Sequence, residues 1–188
     1  MIHSDAVEDA FRQTDRRFFV PPGQTDAAHA DRPLKDGDIH ISAPHIYGTV
    51  LEALELTSGS SFLNVGSGTG YLTCMVSHIM GPTSVSINIE CLSEALEHSQ
   101  AAVQAWKADR TLPVPEMQFY LGNVLQLDTT TGECLQGFDR IYVGAALEKS
   151  NLEPLANLLK VGGILVGPGE SLIIMTIMTV FYLLYQLL

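Results

Sequence analysis

Basic residues are scarce in this chain. Lys and Arg together number 10 against 21 Asp and Glu, a formal net charge of -11. A protein that neutralises phosphates needs clustered Lys and Arg, and no cluster exists here, which argues against nucleic acid as a partner. Cysteine is sparse too: Cys74, Cys91 and Cys134 share no metal-ligand spacing and cannot pair evenly. That argues against a disulfide framework and a metal site, and it suits a reducing compartment, with the cytoplasm expected. Repeats and low-complexity tracts are missing. The opening residues, MIHSDAVEDAFRQTDRR, read as an acidic amphipathic helix rather than a signal peptide. What the chain does have is apolar surface: a hydrophobic fraction of 46% over 188 residues supports a packed core and excludes a disordered protein.

Periodicity orders the rest. A first helix begins near Ser4, with Ala6, Val7, Ala10 and Phe11 on one face. Residues 20–38 hold Pro21, Pro22, Gly23, Pro33 and Gly37 and read as a long irregular connection. A second helix follows from about Pro44 to Leu56. Strands are expected at Ser61–Val65, Ser84–Ile89, Met117–Leu121, Phe138–Val143 and Ile164–Val166. Helices are expected at Tyr71–Met80, Leu92–Trp106 and Asn151–Leu159, the last stopped by Gly162–Gly163. This alternation predicts an α/β fold with a doubly wound, mostly parallel sheet. Residues 171–188 (SLIIMTIMTVFYLLYQLL) carry no charge. They sit at the lower edge of what can span a bilayer, and their β-branched content equally suits one or two buried strands. Periodicity does not separate the two.

The strand–loop–helix at 61–80 carries the clearest chemistry, in the pattern N-V-G-S-G-T-G-Y. Gly66 permits a sharp exit from the strand, Gly68 a close approach of backbone to ligand, and the next helix offers free N–H groups. A dinucleotide fingerprint would place its third glycine at Tyr71; here it comes at Gly70. That spacing suits a ligand whose carboxylate, rather than a pyrophosphate, meets the helix, and S-adenosylmethionine is such a ligand. Plain turns also use glycine, so Glu90 matters. It ends the second strand about 20 residues on, where a carboxylate can accept from both hydroxyls of a ribose.

At this point the sequence resembles the protein-L-isoaspartate O-methyltransferase family. The resemblance is carried by A-F-R-Q-T-D-R-R-F-F-V-P at 10–21, I-S-A-P-H-I at 41–46, L-N-V-G-S-G-T-G-Y-L-T at 63–73, F-D-R-I-Y-V-G-A-A at 138–146 and L-L-K-V-G-G-I-L-V at 158–166. Its nearest likeness is to the "O-methyltransferase domain-containing" branch, through G-D-I-H-I-S-A-P from 37 and G-N-V-L-Q at 122–126. The resemblance implies a domain over 1–168, with a helical part at 1–60, a cofactor core at 61–168, and an apolar tail at 171–188 where the family's C-terminal hairpin is truncated or replaced.

It also implies S-adenosyl-L-methionine as cofactor and methyl transfer to L-isoaspartyl (or D-aspartyl) carboxylates of damaged proteins. Ser42 becomes the active-site hydroxyl, whereas the S-x-P turn alone suggests a helix N-cap. Ile39, His40 and Ile41 lie beside cofactor and substrate, and Tyr47 stands where the family places a histidine. Asn64, Gly66, Ser67, Gly68, Gly70, Glu90, Cys91, Asn123 and Val124 complete the expected cofactor site. Active enzymes of the family usually carry Asp at the positions of Asn64 and Asn123, although Asn123 can still accept from an adenine amino group. Those changes favour an alternative, a catalytically weak or inactive module that binds cofactor and recognises protein partners. Two further readings concern the tail: membrane anchoring through 172–188, against which no Lys or Arg flanks the segment after Lys160, and an aggregation hazard if it stays exposed. His45 reads as a structural residue. Oligomeric state has no signal.

Overall fold

The structure, a computed structural model, describes residues 2–127, 136–145, 151–168, 172–178 and 181–186. Cys134 lies outside them. Helix α1 (Asp5–Gln13) follows Ser4 in extended backbone and buries Val7 and Ala10 of its expected apolar face, with Phe11 half-buried and Ala6 exposed. A single 3-10 turn at Arg16–Phe18 leads into residues 20–38, which are more ordered than their prolines suggest. A small hairpin forms there, β1 (Leu34–Asp36) against β2 (Ile39–Ile41), turning at Gly37 with φ +53°. Helix α2 (Pro44–Leu54) starts with proline in its first turn, a position where the missing N–H is no loss. It ends two residues earlier than expected, because Glu55 turns into the left-handed region.

The main sheet alternates with helices in chain order: β3 (Ser61–Val65), α3 (Tyr71–Met80), β4 (Val85–Glu90), α4 (Ser93–Ala108), β5 (Met117–Leu121), β6 (Phe138–Val143), α5 (Leu152–Ala156) and β7 (Leu159–Pro168). The spatial order of these strands is β5-β4-β3-β6-β7, all parallel. Strand β3 is buried along its whole length, as a central parallel strand covered on both faces must be. Phe62 joins α3 and α4 in one core cluster, with Met75 and Trp106. Leu63 faces the opposite side with Ile141, Leu155 and Leu165.

One expectation near the C-terminus needs correction. The helix expected over 151–159 is only α5, and Gly162 and Gly163 lie inside β7 rather than after a helix. Gly162 adopts φ +81°, and the β6–β7 register shifts between Phe138 and Arg140, so the glycines accommodate an irregular stretch of strand. The apolar tail is also strand. β8 (Leu172–Met178) pairs antiparallel with β7, and β9 (Phe181–Gln186) pairs antiparallel with β8. The tail itself therefore supplies a hairpin at the sheet edge, with Met175 buried. Among the described residues no helix is long and apolar enough to cross a membrane.

After β3 the chain builds outward through β4 and β5, then returns to the other side of β3 as β6. This reversal opens a crevice at the carboxyl ends of β3 and β6, the usual place for a ligand in an open α/β sheet.

Candidate cofactor and substrate site

A cavity of about 450 Å³ lies at that crevice. It gathers His40, Ser42, Tyr47, Asn64, Gly66, Ser67, Gly68, Glu90, Cys91, Asn123 and Val124, most of the residues expected from the sequence. Ile39, Ile41 and Gly70 do not line it. The two isoleucines alternate with His40 along β2 and are buried instead. Gly70 presents its missing side chain to α4, where a Cβ would meet Val103 at 3.0 Å, so it serves helix packing. The cavity also takes in residues that were not among the expected site residues, including Asp38, Leu72, Leu92, Tyr142 and Leu155. Strand ends at the switch point are the signal that could have located Tyr142; the others depend on tertiary approach.

The glycine loop is fixed by its neighbours. The N–H groups of Gly66 and Ser67 both donate to the Ile89 carbonyl, at 2.8 and 3.1 Å. Gly66 has φ +75°, and a Cβ there would lie 3.0 Å from the Ala145 nitrogen. A side chain is therefore excluded on both conformational and steric grounds. Gly68 N–H donates to Glu90 Oε2 at 2.8 Å. The other carboxylate oxygen accepts from the N–H groups of Cys91 and Leu92, at 2.8 and 3.1 Å. Glu90 thus holds the loop to the end of β4, and Oε2 keeps a lone pair for a further donor. Asn123 plays a similar local part: its side-chain oxygen accepts from the Leu125 N–H at 3.0 Å and caps the short turn that follows.

Ser42 is held from both sides of its peptide. Its N–H donates to the Tyr47 hydroxyl at 3.0 Å, and its carbonyl accepts from Arg16 Nη2, also at 3.0 Å. Helix α2 is capped by Ala43 without a side-chain bond, so the N-cap reading of Ser42 does not hold. Arg16 is only 3% exposed and donates to the carbonyls of Ala28 and Arg32 as well. Burial pushes its pKa down, opposed by the nearby Tyr71 and Tyr47 hydroxyls. Burial likewise raises the Tyr47 and Tyr142 phenols, so both stay neutral. His40, the outward residue of β2, lines the cavity, and partial desolvation and then Lys35 lower its pKa. His45 pairs with exposed Asp31 at 2.9 Å, away from the cavity lining, in keeping with a structural role.

Two buried side-chain oxygens of residues that line the cavity, Asn64 Oδ1 and Ser67 Oγ, have no protein partner. An unpaired buried polar atom is costly, and such atoms in a cavity wall mark where a ligand's polar groups can be received. The arrangement combines a glycine loop at a helix N-terminus, an acid one strand over and apolar walls from Leu72, Val143 and Leu155. It can hold an elongated nucleoside-bearing ligand.

Comparison with known proteins agrees with this geometry. The family profile of the protein-L-isoaspartate(D-aspartate) O-methyltransferases matches residues 1–179. The protein-L-isoaspartate O-methyltransferase of Triticum aestivum is 33% identical over 173 residues, covering 89% of this chain and 71% of that protein. Protein-L-isoaspartate O-methyltransferase 2 of Archaeoglobus fulgidus is 33% identical over 171 residues, covering 89% of this chain and 73% of its own. Among solved structures, a Plasmodium falciparum chain assigned to the same family and crystallised with S-adenosyl-L-homocysteine superposes with a TM-score of 0.80. It is 25% identical, and the match covers 99% of this chain and 88% of that one. The chain belongs to the protein-L-isoaspartate(D-aspartate) O-methyltransferase family.

Proposed function

We propose that the chain uses S-adenosylmethionine to methylate the carboxylate of L-isoaspartyl or D-aspartyl residues in proteins, in the service of protein repair. The observation that carries this reading is the cavity at the switch point, where the glycine loop, Glu90 and Ser42 meet in a chain of this family. The residues present fit the cofactor: the glycine loop runs into the N-terminus of α3 with Glu90 bonded beside it, and Asn64 Oδ1 and Ser67 Oγ are buried without protein partners. Glu90 would take a ribose hydroxyl on its remaining lone pair, and Asn123 the adenine amino group.

When bound, the cofactor supplies a methyl group activated by an adjacent sulfonium. The protein's task is then positional. An isoaspartyl carboxylate is ionised at neutral pH, so no general base is needed. Ser42 would donate its hydroxyl to the carboxylate oxygen that is not attacking, holding the other in line with the methyl carbon. The buried clamp from Arg16 and Tyr47 fixes the Ser42 peptide for that role. Opposite charges cancel as the carboxylate becomes an ester, so the apolar walls at Leu72, Val143 and Leu155 favour the reaction by excluding water. We place the protein in a reducing setting such as the cytoplasm, where Cys74 and Cys91 remain thiols.

A calorimetric titration with S-adenosylhomocysteine tests the cofactor half of the proposal. A Kd on the order of micromolar is expected, within the usual range for enzyme ligands. A folded sample that binds none of it contradicts the proposal.

A further inference from the structure

Arg16 carries a charge that the clamp on Ser42 does not require. Every acceptor of its guanidinium is a neutral main-chain carbonyl: Ala28 at 2.6 Å, Ser42 at 3.0 Å, Arg32 at 3.1 Å and Ala30 at 3.5 Å. Its Nε is buried with no partner. Asp31, the acid whose field reaches it, is exposed and bonded to His45. A buried cation without a paired carboxylate is costly, and burial lowers the Arg16 pKa accordingly. Fixing carbonyls needs only N–H donors, which neutral side chains also supply, so the clamp leaves the charge unexplained. The cavity above it has a complementary deficit. Among the described residues its wall holds the acids Asp38 and Glu90 and the His40 imidazole, but no Lys or Arg. The whole chain adds a net charge of -11, a field that repels an anionic substrate.

We infer that Arg16 is a specificity-determining residue whose buried charge selects the ionised carboxylate of the substrate from behind the Ser42 peptide. The inference rests on the methyl-transfer reading above and adds to it the source of attraction for an anion. Two unit charges about 7 Å apart attract by more than tenfold in affinity at the effective dielectric of a site near the surface. Burial protects that attraction from salt, and the four carbonyls keep the guanidinium in place. The attraction acts on binding rather than on transfer. The carboxylate loses its charge as the ester forms, so Arg16 favours the bound substrate over the transition state and does not retain the neutral product. An Arg16 that only placed Ser42 would act on the rate of transfer instead.

The test uses the complex with S-adenosylhomocysteine, whose thioether carries no sulfonium charge to attract the peptide. Two peptides are compared, alike except that one bears the isoaspartyl carboxylate and the other its neutral carboxamide. Calorimetric affinities are measured for the wild type, for Arg16→Lys, which keeps the charge, and for Arg16→Gln, which keeps a donor without it. Thermal melts establish folding. The wild type is expected to prefer the carboxylate by about tenfold. Arg16→Gln should cut that preference to within about twofold by weakening the carboxylate peptide, and Arg16→Lys should retain most of it. In methyl transfer the Arg16→Gln loss should fall mainly on KM. In the wild type, raising salt from about 0.05 M to about 0.5 M should change the preference by less than twofold, as befits a buried charge. This last measurement decides the matter even if Arg16→Gln does not fold. Equal preferences in folded Arg16→Lys and Arg16→Gln, a loss shared by both peptides, or a preference abolished by salt overturns the inference while the methyl-transfer reading stands. A wild-type complex that binds neither peptide ends both.

Discussion

Glu90 Oε2 accepts the Gly68 N–H at 2.8 Å across the mouth of the cavity, so the acid expected to meet a ribose also fixes the glycine loop. Its other oxygen receives two more backbone N–H groups. Replacing it by glutamine leaves one oxygen for three donors and aims an NH2 group at one of them. Glu90→Gln is therefore expected to lower S-adenosylhomocysteine affinity by about tenfold or more and to reduce the melting temperature by several degrees. An affinity equal to wild type would separate Glu90 from the cofactor.

Arg16 works from beneath the site. Its guanidinium ties the carbonyls of Ala28, Arg32 and Ser42 together in a buried position, with no carboxylate bonded to it among the described residues. Arg16→Met leaves those carbonyls without their donor and should cost about 3 kcal/mol, roughly 6–12 °C in melting temperature for a domain of this size. Differential scanning fluorimetry reads this directly. A loss of under about 2 °C would show that the clamp is dispensable.

At the opposite end of β3, Asp139 Oδ2 accepts from Ser61 N–H, Ser61 Oγ–H and Lys160 Nζ, all within 2.8 Å. Burial pushes its carboxyl up, but the hydrogen bonds from Lys160 and Ser61 outweigh it and hold the pKa at about 2, against an ordinary 3.8. A depressed carboxyl stabilises the fold above its unfolded pKa and loses that contribution as pH falls towards the folded one. The side chain is 32% exposed, so solvent screening reduces the effect to roughly 1–2 kcal/mol. The melting temperature of Asp139→Asn should fall below wild type near about pH 6, and the gap should close as pH drops from about 4 to about 2. A gap independent of pH over that range would contradict the assignment.

Strand–helix alternation and the glycine loop were legible because a strongly periodic core leaves few alternatives: the strand starting at Ser61, the helix at Tyr71 and the strand ending at Val143 stand where expected. The cavity followed from the loop, Glu90 and the resemblance at 41–46. The buried hydrogen-bonded chain of Asn64, Thr73 and Asn88 was not legible. Ser84, Ser86 and Asn88 alternate with Val85, Ile87 and Ile89 and look like the wet face of a strand, yet all three polar residues are buried under helices. Only the packing of α3 and the approach of β5 show their partners. Gly162 and Gly163 misled for a different reason, since the same residues that end helices also permit irregular strands. The tail was ambiguous because a uniformly apolar run has no period to read.

That tail now makes a prediction of its own. Met175 is 6% exposed, and its strand pairs with β7 from Ile164 to Pro168. Met175→Lys places a charge in the core beside Leu165, its partner in the register, and should cost about 3 kcal/mol or more, seen as a lower denaturation midpoint. Unchanged stability, together with retention in carbonate-washed membranes, would instead favour insertion of residues 172–188 in a bilayer.

The most direct measurement is transfer of labelled methyl from S-adenosylmethionine to a pair of peptides that differ only in an isoaspartyl or a normal aspartyl linkage. The account predicts base-labile label on the isoaspartyl peptide alone, and its loss in Ser42→Ala. Label on neither peptide, from protein that binds S-adenosylhomocysteine, would contradict methyl transfer and leave a module that binds the cofactor without turning it over.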